Sequence, residues 1–272
     1  MQFILDENTC SKCGTCLTVC PMAALEFKES GFPGFKPEAA CLLCGHCEAV
    51  CPTGSARVED EILAPPLVRP ELSHLTPDQI GNHLRMRRSI RQYLEKPAEK
   101  AILEQLLDIA RFAPSACNLQ AIKWLVIYER EEVKKLAGMV IDWLRYLRDN
   151  PKAAARLADM PLESLIGAWE NGFDVISRGA PHLVIAYSEK ANRFAQVDAP
   201  IALTYLEIGL PAFGLGACWG GFFDMALTFW PPIQEALKLP EGCKSFGTLM
   251  VGYPKYKYRR IPQRNKLDVT WR

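Results

Sequence analysis

Cys10-Ser11-Lys12-Cys13-Gly14-Thr15-Cys16-Leu17-Thr18-Val19-Cys20-Pro21 and Cys41-Leu42-Leu43-Cys44-Gly45-His46-Cys47-Glu48-Ala49-Val50-Cys51-Pro52 repeat one spacing, C-x-x-C-x-x-C-x-x-x-C-P. That run wraps three thiolates around one iron–sulfur cube and sends the fourth to a second. The pattern therefore predicts one [4Fe-4S] cluster on Cys10, Cys13, Cys16 and Cys51, and another on Cys20, Cys41, Cys44 and Cys47. Zinc sites take their four ligands as two short pairs separated by a longer stretch, whereas here a run of four recurs whole. Disulfides need an oxidising compartment, and residues 1–25 lack a basic stretch followed by an apolar one, so no secretory signal is read.

With these runs, residues 1–60 resemble a bacterial two-cluster ferredoxin. The prolines after the last cysteines, the small residues Ala23, Ala24, Gly54, Ser55 and Ala56, and the aliphatics Ile4, Leu25 and Val58 suit a domain whose core is the clusters themselves.

The chain has 272 residues, which leaves room for a second domain with a sizeable hydrophobic core. Its 49% hydrophobic and 23% charged residues are those of a globular protein, and its net charge is +1. Such a balance predicts no bulk attraction to nucleic acid or an anionic membrane. No apolar run approaches the roughly 18 residues needed to span a bilayer, and a cytoplasmic location is expected. Pro65, Pro66, Pro70 and Pro77 punctuate residues 61–77, an extended linker by proline's fixed φ and missing donor. Thr76-Pro77-Asp78-Gln79 reads as a helix start running to about Arg88. Ile102, Leu103, Leu106, Leu107, Ala110 and Ala113 recur at helical spacing and stop before Pro114. A further helix is expected over 133–147 and a long apolar one over 198–213, with strands at 124–128, 183–187 and 248–251. Residues 78–272 thus read as an α+β domain.

Four stretches carry chemistry. In Arg87-Arg88-Ser89-Ile90-Arg91-Gln92-Tyr93, guanidinium forks and a hydroxyl suit a phosphate or a ring carbonyl; alone, the segment reads equally well as a solvated basic helix end. Ala113-Pro114-Ser115-Ala116-Cys117-Asn118-Leu119-Gln120 makes a defined turn exposing polar groups. Gly214-Leu215-Gly216-Ala217-Cys218-Trp219-Gly220-Gly221-Phe222 lets backbone lie flat against a ring. It is not a dinucleotide fingerprint, whose third glycine would fall at Trp219. Val251-Gly252-Tyr253-Pro254, then Ile261-Pro262-Gln263-Arg264 and Val269-Thr270-Trp271, close the chain. Cys117, Cys218 and Cys243 read as small apolar packing residues. His46 is expected to hydrogen-bond near a cluster, and His74, His83 and His182 to be surface or satisfied core residues.

Together the four stretches resemble the nitroreductase family of FMN-dependent, dimeric α+β flavoproteins, over residues 80–272. The resemblance implies a nitroreductase-like FMN-binding fold preceded by a small two-[4Fe-4S] ferredoxin-like domain. It implies FMN held by Arg87, Arg88, Ser89, Arg91 and Arg264, with Lys255, Lys257, Arg259 and Arg260 as alternatives for the last. Cys218, Trp219, Gly220 and Gly221 would lie beneath the flavin, the two glycines tuning N5. Pro114, Ser115, Asn118 and Gln120 would approach it from the partner subunit of a homodimer. The family's usual Pro-Trp after this turn is replaced by Ala121-Ile122-Lys123-Trp124. No obligatory acid or base is nominated.

Such a fusion suits conversion of single low-potential electrons, from ferredoxin or NAD(P)H, into a two-electron reduction of a small organic acceptor such as a nitro compound or quinone. An electron-transfer subunit that relays electrons to a docked protein, and a cluster-based sensor, are the competing readings.

Overall fold

The computed structural model describes residues 1–64, 67, 75–154 and 160–272. Pro65, Pro66, Pro70 and His74 lie outside the described residues. The chain divides into two units: Met1–His74 with Ala116–Leu119, and the remainder.

In the smaller unit β1 (Gln2–Leu5) pairs antiparallel with β4 (Ala56–Glu59), Leu5 facing Ala56, and β2 (Leu25–Phe27) pairs with β3 (Pro33–Phe35). Two short helices, α1 (Thr15–Thr18) and α2 (His46–Val50), carry the third cysteine of each run. The runs fold alike: Lys12 and Leu43, before the second cysteines, have φ of 55° and 52°, and Gly14 and Gly45, after them, have φ of 72° and 67°. The left-handed turn at each glycine reverses the chain so that the second and third thiols face one side. Leu25 and Val58 are buried, while Ile4 is only partly so.

In the larger unit α3 (Pro77–Met86) starts with the expected cap. Thr76 Oγ1 accepts from the Gln79 N–H at 3.2 Å and Gln79 Oε1 from the Thr76 N–H at 2.8 Å, two orphan donors satisfied reciprocally. The helix ends two residues before Arg88. Next come α4 (Lys100–Ala110), β5 (Lys123–Ile127), α5 (Arg130–Asp149), α6 (Pro151–Ala154), α7 (Leu162–Glu170), β6 (His182–Glu189) and α8 (Ala195–Gly209). A 3-10 turn leads to β7 (Gly216–Trp219), α9 (Gly221–Phe229), α10 (Pro231–Ala236) and β8 (Cys243–Gly252).

The four strands form one antiparallel sheet in the order β5-β6-β8-β7. Their apolar runs do not alternate with polar residues because both faces are covered. Leu183 and Ile185 of β6 point into a core with α5, α7, α9 and α10, and Val184 and Ala186 into a second core with α4 and α8. Cys218 and Trp219 of β7 divide the same way.

His182 is fully buried, so its polar atoms must find partners. Its Nε2 accepts the Ala98 N–H at 2.8 Å, which leaves Nδ1 protonated and donating to the Tyr128 carbonyl at 2.7 Å. The Tyr128 hydroxyl in turn donates to the Ala98 carbonyl at 2.8 Å. His182→Phe should destabilise the protein by about 1–3 kcal/mol for each group left unpaired, read by denaturant unfolding. Burial holds the folded ring below its ordinary 6.5, so the unfolded chain takes up the proton first. Stability from the neutral ring is therefore complete above that value and drains away as the pH falls below it. His182→Gln should flatten the fall in Tm between about pH 7 and pH 5.

Candidate functional site

Two cavities in the smaller unit are ringed by thiols. One is lined by Cys10, Cys13, Cys16 and Cys51, the other by Cys20, Cys41, Cys44 and Cys47 together with His46. Each ring draws three cysteines from one run and its fourth from the other. Among the described residues no three His, Cys, Asp or Glu side chains converge closely enough for a single ion.

Protein donors already point at sulfur: the Ala24 N–H reaches Cys20 Sγ at 3.3 Å, the Leu43 N–H reaches Cys41 Sγ at 3.4 Å, and Ser55 Oγ lies 3.3 Å from Cys51 Sγ. Burial would raise Cys51, but the Ser55 and Thr53 hydroxyls outweigh it and bring the thiol down to about 6. Burial pushes Cys47 up to about 11, so this thiol turns anionic only against a cation such as iron.

Asn118, expected against a flavin, belongs by its contacts to this unit. Its Nδ2 donates to the Leu42 and Leu43 carbonyls at 3.1 and 2.9 Å, bracing the loop between Cys41 and Cys44. Cys117, expected to pack, is exposed with φ 51°, because a left-handed turn swings it outward. In the larger unit Ser115 Oγ accepts the Gln120 N–H at 3.0 Å and closes the turn, while Pro114 and Gln120 are exposed.

The larger unit holds a cavity of about 250 Å³ at the end of β7. Its floor is Cys218, Trp219, Gly220 and Gly221, its walls include Val175, Phe222, Met225 and Met250, and Arg91 and Arg178 border it. The floor is tied to β8: the Gly220 N–H donates to the Thr248 carbonyl at 3.0 Å and the Thr248 hydroxyl to the Gly220 carbonyl at 3.1 Å. A Cβ on Gly220 would strike that hydroxyl, whereas one on Gly221 would meet nothing within 4 Å. Gly221 is thus bare for the sake of the space outside it. Cys218 is buried, which raises its thiol against the opposing pull of Arg91 and Arg178, so it packs rather than reacts.

The other arginines are differently placed. Arg87 Nη1 donates to Glu207 Oε1 at 2.8 Å, and Trp219 Nε1 to Glu207 Oε2 at 3.3 Å. Arg88 donates to the carbonyls of Arg87 and Arg85, closing the end of α3, while its buried Nε has no partner. Both line a second cavity with Gly214 and Tyr258. Ser89, between them and Arg91, is half-buried and near Cys218. Arg264 is exposed in an irregular tail following Pro254. Sequence reasoning missed Glu207 and Arg178. A carboxylate inside a largely apolar helix was the readable signal for the first; the second depends on a loop that no periodicity marks.

Residues 84–253 match the nitroreductase family model, and residues 9–55 match a 4Fe-4S dicluster domain. The chain belongs to the nitroreductase family. It is an oxidoreductase of the nitroreductase type with a 4Fe-4S dicluster domain at its N-terminal side. A putative NADH dehydrogenase/NAD(P)H nitroreductase of Methanothermobacter thermautotrophicus is 24% identical over 63% of this chain and 75% of its own length. The NADH dehydrogenase of Thermus thermophilus is 27% identical over 68% and 92%. A nitroreductase of Bacteroides fragilis solved with bound FMN superposes with a TM-score of 0.57 at 17% identity, over 71% of this chain and 99% of that one. Among the described residues no helix is long and apolar enough to cross a membrane.

The crossed pairing of thiols expected from the spacing has a sharp test. With Cys10, Cys13 and Cys16 all changed to Ala, one cluster should survive; adding Cys20→Ala should abolish it, and adding Cys51→Ala should leave iron and sulfide per chain unchanged. Pairing within each run would reverse the two outcomes.

Behind the cavity floor, burial raises the Asp224 carboxyl to about 7, and its Oδ1 has no partner. The folded chain keeps this proton where the unfolded chain has lost it, so stability falls as pH rises from 3.8 to about 7. Asp224→Asn should remove that decline in a series of thermal melts.

Proposed function

We propose that the larger unit binds FMN in the cavity floored by Cys218, Trp219, Gly220 and Gly221. In this reading the two clusters feed it electrons for two-electron reduction of an organic acceptor such as a nitro compound or quinone. The observation that carries the reading is that cavity: an unobstructed glycine floor, apolar walls and two guanidiniums without an acidic partner among the described residues. A planar ring with polar edges matches those surfaces.

FMN supplies the ability to take electrons singly and release them as a pair. The chain's own residues do the rest. Gly220 and Gly221 present backbone to the ring, Gly220 held flat by its two bonds to Thr248. Arg91, which lines the cavity, would hold the polar edge of the ring. The unpartnered Nε of Arg88, the Ser89 hydroxyl and the donors that Arg87 does not spend on Glu207 suit the phosphate. Arg264 joins them from the tail, with Lys255, Lys257, Arg259 and Arg260 as the other cations in range of sequence. The thiol rings of the smaller unit take one-electron donors such as a reduced ferredoxin. The nicotinamide-linked names of the curated relatives make NAD(P)H the second donor class to try.

We also infer a homodimer. Leu84 and Met86 on α3, Val197 and Tyr205 on α8, and Tyr256 and Trp271 in the tail are all exposed, Trp271 at 90%. These exposed apolar side chains support that reading, since a second copy related by a two-fold axis meets such a surface with its own symmetric counterpart. Pro114, Ser115 and Gln120 are then free to meet the partner's flavin.

Anaerobic protein should contain about eight iron and eight sulfide per chain, two four-iron clusters, with about one FMN, and should have the mass of a dimer. Reduced ferredoxin should drive turnover of nitro compounds or quinones. Flavin that is reduced through the clusters yet reoxidised only by a protein partner would assign the chain to electron relay instead, and protein that takes up no flavin would end the reading.

A further inference from the structure

Arg178 shares the glycine-floored cavity with Arg91, and the chain takes trouble to put it there. Its backbone φ is 57°, in the left-handed region, which costs a residue with a side chain of order 1 kcal/mol. The conformation is enforced from below by one carboxylate. Asp174 Oδ1 accepts the N–H groups of Ile176 at 3.0 Å and Ser177 at 2.8 Å, and Oδ2 accepts the Gly179 N–H at 2.9 Å and the Ser177 hydroxyl. Every member of this cage flanks Arg178, and none touches its guanidinium. Ile176 and Ser177 are buried, so the loop is anchored in the body of the unit.

The side chain so presented is half-buried, and neither it nor Arg91 has a hydrogen bond or ion pair to any described residue. Both guanidiniums pull down the pKa of the Cys218 thiol in the cavity floor, so the fields of both reach the same space. Two cations held near one cavity without a counter-ion repel each other, and an anion between them removes that cost.

We propose that Arg178 is a charge-stabilising residue of the flavin site, acting with Arg91 on the negative charge that the bound ring acquires on reduction. The inference rests on the FMN reading above. Two reduced clusters each give up one electron and return to their oxidised state, and solvent supplies one proton. Two electrons and one proton leave the ring with one net negative charge, which spreads over the pyrimidine edge. The walls of the cavity, Val175, Phe222, Met225 and Met250, are apolar, and among the described residues Arg91 and Arg178 are the charged side chains that line it, so the two guanidiniums are the protein groups placed to balance the charge. The same walls favour the ring over the phosphate as the group that these two arginines meet.

The test compares wild type with Arg178→Gln, Arg178→Lys and Arg178→Gly, each loaded with FMN and, separately, with riboflavin. Three quantities are read: the dissociation constant of the oxidised flavin, the two-electron midpoint potential, and the pH at which the reduced flavin's absorption changes as its ring takes up a proton. Arg178→Gln should weaken binding of reduced flavin about tenfold more than of oxidised flavin, a fall in potential of about 30 mV for a two-electron couple. The reduced ring's protonation should move to higher pH, and Arg178→Lys should restore most of both shifts. Arg178→Gly should show the same redox change with a thermal midpoint equal to or above wild type, because glycine tolerates the backbone conformation; this separates charge from folding. An unchanged potential with normal flavin content overturns the proposal. So does weakened binding of FMN with unaltered binding of riboflavin, which would assign Arg178 to the phosphate. Wild type that takes up neither flavin is the distinct result that fails the FMN reading itself.

Discussion

Glu207 is a carboxylate enclosed by an apolar helix, only 6% exposed, and much of the larger unit's site follows from keeping it paired. Breaking such a pair from one side leaves a buried charge uncompensated, a cost of about 3–5 kcal/mol. Its two oxygens are divided between Arg87 and the indole of Trp219, so α8 fixes both the start of the arginine segment and the end of β7. With Arg87 drawn to Glu207 and Arg88 folded back onto the end of α3, Arg91 is the arginine of its segment that faces the cavity. The indole bond also sets where the following glycines begin, and Thr248 completes the task by gripping Gly220 from the neighbouring strand. One buried charge thus settles which cation stays free and where bare backbone is offered.

The smaller unit solves a different problem. A chain of some sixty residues buries only about 60% of the surface it exposes when unfolded, which leaves it marginal, and its pairs of strands are short. What it has in place of a large apolar core is two thiol-lined hollows. Because each hollow borrows its fourth thiol from the opposite run, metal binding links the two halves of the sequence and becomes folding free energy. The hydroxyls and N–H groups around the sulfurs serve a second purpose, since hydrogen bonds to cluster sulfur are among the factors that set its potential.

Much of this was legible in the residues themselves, for reasons that differ by element. The cysteine spacing is local chemistry: short stretches with left-handed glycines have few ways to fold, and the crossed grouping of thiols follows from where the fourth cysteine must go. The capping box at Thr76 is equally local. The apolar runs of β6 and β8 were readable because covering both faces of a sheet erases the polar alternation. The helices α7, α9 and α10 were not foreseen, being short and apolar without a clear period, and β7 hid inside a glycine-rich stretch valued for its flatness. Arg178 was invisible for a deeper reason. Its placement depends on a side chain four residues earlier bonding to backbone that is contorted only in the finished loop, a relation that neither hydrophobic period nor spacing encodes.

That contortion bears on how a flavin site can be set for low-potential donors. A cation near the ring favours the reduced state, and the closer the donor potential lies to the flavin's, the more each tenfold of stabilisation matters. The chain could have supplied charge more cheaply from a helix or strand. Instead it keeps a non-glycine residue at a positive φ beside a four-bond carboxylate cage, which fixes the backbone from which the side chain sets out toward the cavity. Strain of this kind persists only where surrounding structure over-determines it, and here the over-determining group, Asp174, makes no contact with the cavity. Positioning and charge are thereby carried by separate residues, so the electrostatics of the site can be altered at Arg178 without dismantling the loop that presents it.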